Sequence, residues 1–150
     1  MMKVEIKNSI NFPKEFAGIN DLLTIARSLF IPNLIQHIED QETITGGSFP
    51  RLEESTIRRK TKSALRSPDM ALIDTGRLLR SFQAKKQGKN AVILDIKRDR
   101  ADIGYYLQVE GVGKKRKQFK FFGISEGMEA DAMDYIKKKI NDTCKAFNGK

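Results

Sequence analysis

Leu72-Ile73-Asp74-Thr75-Gly76-Arg77-Leu78-Leu79-Arg80-Ser81-Phe82 is the stretch around which the chain is organised. It reads as an apolar lead-in, a tight cap and a short helix. Asp74 or Thr75 can place a side-chain oxygen on the free backbone N–H groups of the following turn. Gly76 lets the backbone bend where a larger residue would crowd. Leu78, Leu79 and Phe82 then give the short helix one apolar face, while Arg77, Arg80 and Ser81 point elsewhere. Taken alone, such a stretch is a capped helix docked on a core.

Upstream, Phe49-Pro50-Arg51-Leu52 is expected to be extended, because Pro50 disfavours helix at Phe49. Glu54 to about Leu65 then reads as a helix capped by Ser55 or a neighbour, with Ile57, Ala64 and Leu65 as its only clear apolar residues. Arg58, Arg59, Lys60, Lys62 and Arg66 make it densely basic, so it is expected to lie on the body or project from it. The segment 43–70, opening on the flexible Gly46-Gly47, is expected to be mobile until it meets a partner. Further upstream, Val4 and Ile6 alternate with charged residues as in a half-buried strand. A helical stripe runs from Phe16 to Phe30, capped in its regular part by Asn20 or Asp21. Pro32, which has no backbone donor, is expected to kink or split the helix before Leu34, Ile35 and Ile38 resume the stripe.

Downstream, Gly88-Lys89-Asn90 suggests a hairpin turn before a strand over Ala91 to Ile96. A second turn at Lys97 to Asp99 leads to a strand over Ala101 to Val109, with Ile103, Tyr105, Leu107 and Val109 at period two. A loop with a basic tip, Lys114-Lys115-Arg116-Lys117, precedes a short apolar strand at Phe119, Phe121 and Phe122. From Ser125 a long final helix carries Met128, Ala132, Tyr135, Ile136, Ile140, Cys144 and Phe147 on one face. Strand, helices, strands and helix in this order imply an α+β fold: a small antiparallel sheet of about three to five strands, helices packed on one face, and a long C-terminal helix.

Certain blocks, in this order, resemble the tail-completion or virion-morphogenesis family of tailed phages, of the type found in phage Mu. They are Phe49-Pro50-Arg51-Leu52, Ser55-Thr56 with Lys60, Asp74-Thr75-Gly76 with Leu78 and Ser81, Tyr105-Tyr106, and Phe121-Phe122-Gly123. The resemblance runs from about Phe49 to about Phe147 and is most specific at the Asp74 to Ser81 turn. It implies the same sort of fold and a structural protein at the head–tail junction. Such a protein assembles as a homo-oligomeric ring against tail and connector proteins, in the host cytoplasm during assembly and then in the virion tail or neck. Asp74, Thr75, Gly76, Leu78 and Ser81 would be architectural. The chain departs from the family at Gln108, where His is common, and at Phe119, where Arg is common, with Lys117 and Lys120 nearby.

The 150 residues suit one domain with its own core, and the formal net charge of +9 favours acidic partners: nucleic acid, an anionic membrane or acidic protein. Cys144 stands alone, so no intrachain disulfide forms; a buried, inert thiol in a reducing compartment is expected. The first residues lack the apolar core of a signal peptide, and no run approaches the roughly 18 apolar residues of a membrane span. The chain is therefore expected in the cytoplasm, without a membrane.

No constellation for catalysis or for a cofactor is evident. His37, the single histidine, has no metal-binding partner at a suitable spacing and reads as a helix-surface residue. Asp74-Thr75-Gly76 occurs once and lacks the second carboxylate of an aspartic protease. Gly111-Val112-Gly113-Lys114 lacks the spacing of a phosphate loop. Asp95, Asp99 and Asp102 read as surface carboxylates. What remains is the two basic patches, Arg58, Arg59, Lys60 and Lys62, and Lys114, Lys115, Arg116 and Lys117. They face solvent, dock on an acidic protein, or, as the alternative function (patches 58–66 and 114–120), touch nucleic-acid phosphates non-specifically.

Overall fold

A computed structural model describes residues 18–63 and 67–149 together with the backbone of residues 3–6. The break expected at Asn8 to Pro13, the start of the stripe at Phe16, and Ala64, Leu65 and Arg66 lie outside the described residues.

The fold is α+β. Strands β1 (Lys3–Ile6), β2 (Phe82–Gln87) and β3 (Ala91–Ile96) form an antiparallel sheet in the order β1-β3-β2. Turn residues 88–90 join β2 to β3, with Gly88 at φ +64°, a left-handed conformation in which glycine meets no Cβ penalty. Register sets Phe82 opposite Ile96 and Ala84 opposite Leu94, so the buried sides of the two strands coincide. Val92, Leu94 and Ile96 are at most 1% exposed and form the floor of the core.

The upstream stripe is a helix in three parts: α1 (Ile19–Ile25), a π-helical turn (Ala26–Phe30) and α2 (Ile31–Glu39). Pro32 sits in the first turn of α2, where its missing N–H and its ring would disturb an ordinary α-turn, and the wider π-turn just before it absorbs the conflict. The π-turn also keeps Leu22, Ala26, Phe30, Leu34 and Ile38 buried. A strict four-residue repeat drifts around a helix of 3.6 residues per turn, and the π-turn takes up part of that drift. Gly18 is the cap, and Asp21 reaches back to its N–H (3.0 Å), in place of the cap expected from Asn20 or Asp21 themselves.

Helix α3 (Glu54–Lys62) follows Glu53, whose side chain makes no cap bond, and Ser55 already lies inside the helix. The organising stretch is not a capped helix. Leu72 at φ +62° and Gly76 at φ +70° break the helical path, leaving a loop and a single 3-10 turn (Leu79–Ser81) before β2 begins at Phe82. Leu78 and Phe82 are buried as expected; Ser81, expected to point elsewhere, is buried too, its Oγ donating to the Leu78 carbonyl at 2.6 Å.

The strand expected over Ala101 to Val109 is helical: α4 (Arg98–Tyr105) followed by a π-turn (Tyr106–Glu110). Period two there was accidental. Ala101 and Gly104 are the buried pair at helical spacing, while Ile103, Tyr106 and Val109 are exposed. Gly104 permits this docking, because a Cβ there would lie 2.7 Å from Ile96 Cδ1. Phe119, Phe121 and Phe122 are buried in an extended segment without strand pairing; Phe82 and Phe122 stack at 5.8 Å. Gln108 grips this segment with two bonds, donating to the Phe122 carbonyl (2.7 Å) and accepting from its N–H (2.8 Å).

Helix α5 (Glu126–Asn148) is capped by Ser125, whose Oγ accepts from Met128 N (3.2 Å). Met128, Ala132 and Ile136 enter the core, and Lys139 pairs with Asp21 of α1. The last turns leave the body, so Cys144 is exposed rather than buried and Phe147 is 83% exposed.

Candidate functional site

Lys60 has the least expected environment in the chain. Basic and in the last turn of α3, it is 1% exposed. Its ammonium donates to the carbonyls of Met70 (2.5 Å) and Ile73 (2.9 Å), with Asp74 Oδ1 at 3.4 Å. The helix carrying Ser55, Thr56 and Lys60 is thereby tied to the Asp74-Thr75-Gly76 loop. Arg59 reinforces the tie from outside, 3.3 Å from Asp74 Oδ2. Arg80 closes the loop by donating to the Thr75 carbonyl (2.9 Å). Asp74 is thus an ion-pair partner and not a helix cap, and Lys60 is removed from the surface contacts expected of it.

The loop 111–118 faces this tie. Val112 and Lys117 bridge each other across a turn opened by Gly111 at φ +79°, where an added Cβ would collide with the Arg116 carbonyl. Lys117 then crosses to the segment before α3, donating to the Arg51 carbonyl (2.8 Å) and pairing with Glu53 (2.8 Å). The hydrogen bond and the positive charge of Lys117 hold the Glu53 carboxyl below its ordinary 4.5. The segment 43–70 is also joined to the body by Ile44 N–H on the Lys120 carbonyl (2.8 Å) and by an edge-to-face contact of Phe49 with Phe119 (5.8 Å).

Between these parts lies a groove of about 530 Å³. Its floor is apolar, with Leu72, Leu78, Leu107, Val112 and the half-exposed Ile103. Its walls carry Arg51, Arg59, Lys60, Arg77, Arg100 and Lys117 against two carboxylates, Glu53 and Asp74. Both carboxylates are already engaged, by Lys117 and by Arg59 with Lys60. No family model, curated protein or solved structure matches this chain. The groove is therefore read from its own chemistry.

That chemistry combines positive charge with an apolar floor. Among the described residues Arg51 and Arg77 have no ion-pair partner, and Arg100 Nε is buried without a hydrogen bond, with Asp99 at 3.8 Å. No group of three His, Cys, Asp or Glu side chains is arranged for a metal among the described residues. His37 lies away from the groove, 3.8 Å from the Glu42 carboxylate. No described helix is long and apolar enough to cross a membrane.

Of the expected contact residues, the structure brings Arg59, Lys60 and Lys117 together with Asp74, Thr75, Gly76 and Leu78 around the groove. It leaves Arg58, Lys62, Lys114, Lys115 and Arg116 exposed outside it, and Ser81 is buried without lining it. Arg51, Arg77 and Arg100 were not singled out as contacts. Arg100 lay on a helix read as a turn, and single arginines outside a charge run carry little signal of their own.

Proposed function

We propose that this chain is a structural virion morphogenesis protein that completes a phage tail at the head–tail junction, working through contacts in an oligomer. The observation that carries the reading is the Lys60 tie. Two blocks of the resemblance, the helix with Ser55, Thr56 and Lys60 and the turn with Asp74, Thr75 and Gly76, meet in space through a buried ammonium. Lys60, Asp74 and the Thr75 carbonyl are engaged in holding the scaffold, which suits an architectural role. The groove beside them supplies a docking surface for tail or connector proteins.

The exposed cations outside the groove favour a second reading. Lys62, Lys114, Lys115 and Arg116 have no ion-pair partner among the described residues, and Arg58 has only Glu54, one turn away at 3.2 Å. Such a surface suits sequence-blind phosphate contact by a nucleic-acid-binding module. Light scattering after size exclusion, combined with titration of a nonspecific duplex at rising salt, separates the two. The tail reading expects an assembled protein and no tight duplex binding. A monomer that binds duplex with a steep salt slope overturns it.

A further inference from the structure

The groove holds two cations, Arg51 and Arg77, without an ion-pair partner among the described residues, and the same chain carries the complementary surface elsewhere. Between Lys120 and Lys137 there is no lysine or arginine, although the formal net charge is +9. This interval contains Glu126, Glu129, Asp131 and Asp134, all exposed on the first half of α5. Among the described residues their one ion pair is Asp134 with Lys137, at 3.9 Å. No residue of α5 lines the groove.

We propose that the groove receives the acidic first half of α5 from a second copy of this chain. The inference rests on the oligomer reading above and names the surfaces that mate. Arg51, Arg77 and Arg100 meet Glu126, Glu129 and Asp134. Met133, half-exposed among these carboxylates, offers a flexible apolar side chain to the floor at Ile103 and Val112. Opposite potentials steer such a contact and set its register. The mating surfaces lie on different elements, so each copy presents a donor and an acceptor, and repetition of the contact generates a ring or a filament.

A polypeptide suits the groove better than nucleic acid does. Single strands are held by stacking bases on exposed aromatic rings. Among the described residues the one aromatic ring lining the groove, Phe119, is 3% exposed, and the remaining floor is aliphatic with the sulfur of Met70.

The test uses the full chain and two double variants at exposed positions: Arg51→Glu with Arg77→Glu on the groove, and Glu129→Lys with Asp134→Lys on the helix. Light scattering should give the wild type a mass above 17.1 kDa that falls as salt is raised, and should give each variant 17.1 kDa. Like charges facing across the contact should weaken it by roughly a hundredfold or more. An equimolar mixture of the two variants should regain a mass above 17.1 kDa, because an intact groove meets an intact helix and the reversed groove meets the reversed helix with opposite charges. Thermal midpoints close to wild type verify that both variants fold. A wild type that is monomeric at every concentration, variants that assemble normally, or a mixture that stays monomeric would each overturn the contact. A monomeric wild type that nevertheless restores head–tail joining overturns the contact alone. A chain that assembles through the groove but joins no tails overturns the tail reading alone.

Discussion

Replacing Lys60 with methionine removes an ammonium and keeps the volume and flexibility of the stem. The side chain is 2% exposed, so water does not simply take the place of the lost donor. The carbonyls of Met70 and Ile73 each lose a charged hydrogen bond. Each orphaned acceptor costs about 1–3 kcal/mol. Relief of the buried ammonium's desolvation offsets part of this, and Asp74 keeps Arg59 as a partner, so the isolated-charge penalty of a broken buried pair does not apply. A net loss of about 2–3 kcal/mol follows. For a chain of this length that is roughly 4–12 °C in Tm. Lys62→Met, two residues along on an exposed position, is the control and should stay within about 0.5 kcal/mol of wild type. Calorimetry or urea unfolding compares the pair. If Lys60→Met melts with Lys62→Met, the ammonium does not tie α3 to the Asp74 loop, and the architectural reading of that motif fails.

Other substitutions probe the neighbouring joints. Gln108→Ala removes both bonds to the Phe122 backbone and should cost about 1–3 kcal/mol in urea unfolding, whereas an unchanged midpoint would mean the pair is replaced by water at no cost. Gly111→Ala forces a Cβ against the Arg116 carbonyl at positive φ, and should raise amide exchange across 111–118 with a cost of about 1–3 kcal/mol. Because the folded Glu53 carboxyl titrates below its ordinary value, the Lys117 tie is fully present above that ordinary value of 4.5 and is lost as pH falls through the lowered one. Exchange in 111–118 should therefore rise in acid, and Glu53→Gln should abolish the pH dependence. Asp74→Ala removes the exposed Arg59 pair and the carboxylate beside the buried Lys60 ammonium rather than a helix cap, and should cost about 1–2 kcal/mol because Lys60 keeps the Met70 and Ile73 carbonyls. The loss should shrink in a Lys60→Met background, and an equal loss in both backgrounds would refute the tie.

The elements with strong periodicity and local punctuation were legible in the sequence. The start of α5 at Ser125, the part of its stripe at Met128, Ala132 and Ile136, the turn at Gly88 and the interruption at Pro32 each follow from local chemistry and stand in the structure, whereas the stripe's end at Cys144 and Phe147 is exposed. The α4 region was misread because Ile103, Tyr105, Leu107 and Val109 alternate, while the residues that face the sheet, Ala101 and Gly104, are too small to register as hydrophobic. β2 was missed because its outer half is polar; only Phe82 and Ala84 are buried at full depth. The groove was legible only in fragments. Asp74, Thr75 and Lys60 stood out by motif and charge, but burial of Lys60 is a tertiary fact: local sequence does not show that α3 lies against the carbonyls of Met70 and Ile73.

The proposed tail-completion role is tested most directly by deleting the reading frame from the genome that encodes the chain and inducing particle production. With the reading frame deleted, electron microscopy should find complete heads and tails of normal length that fail to join, and purified protein added to that lysate should restore infectious particles. Heads and tails that join equally well without the protein would contradict it.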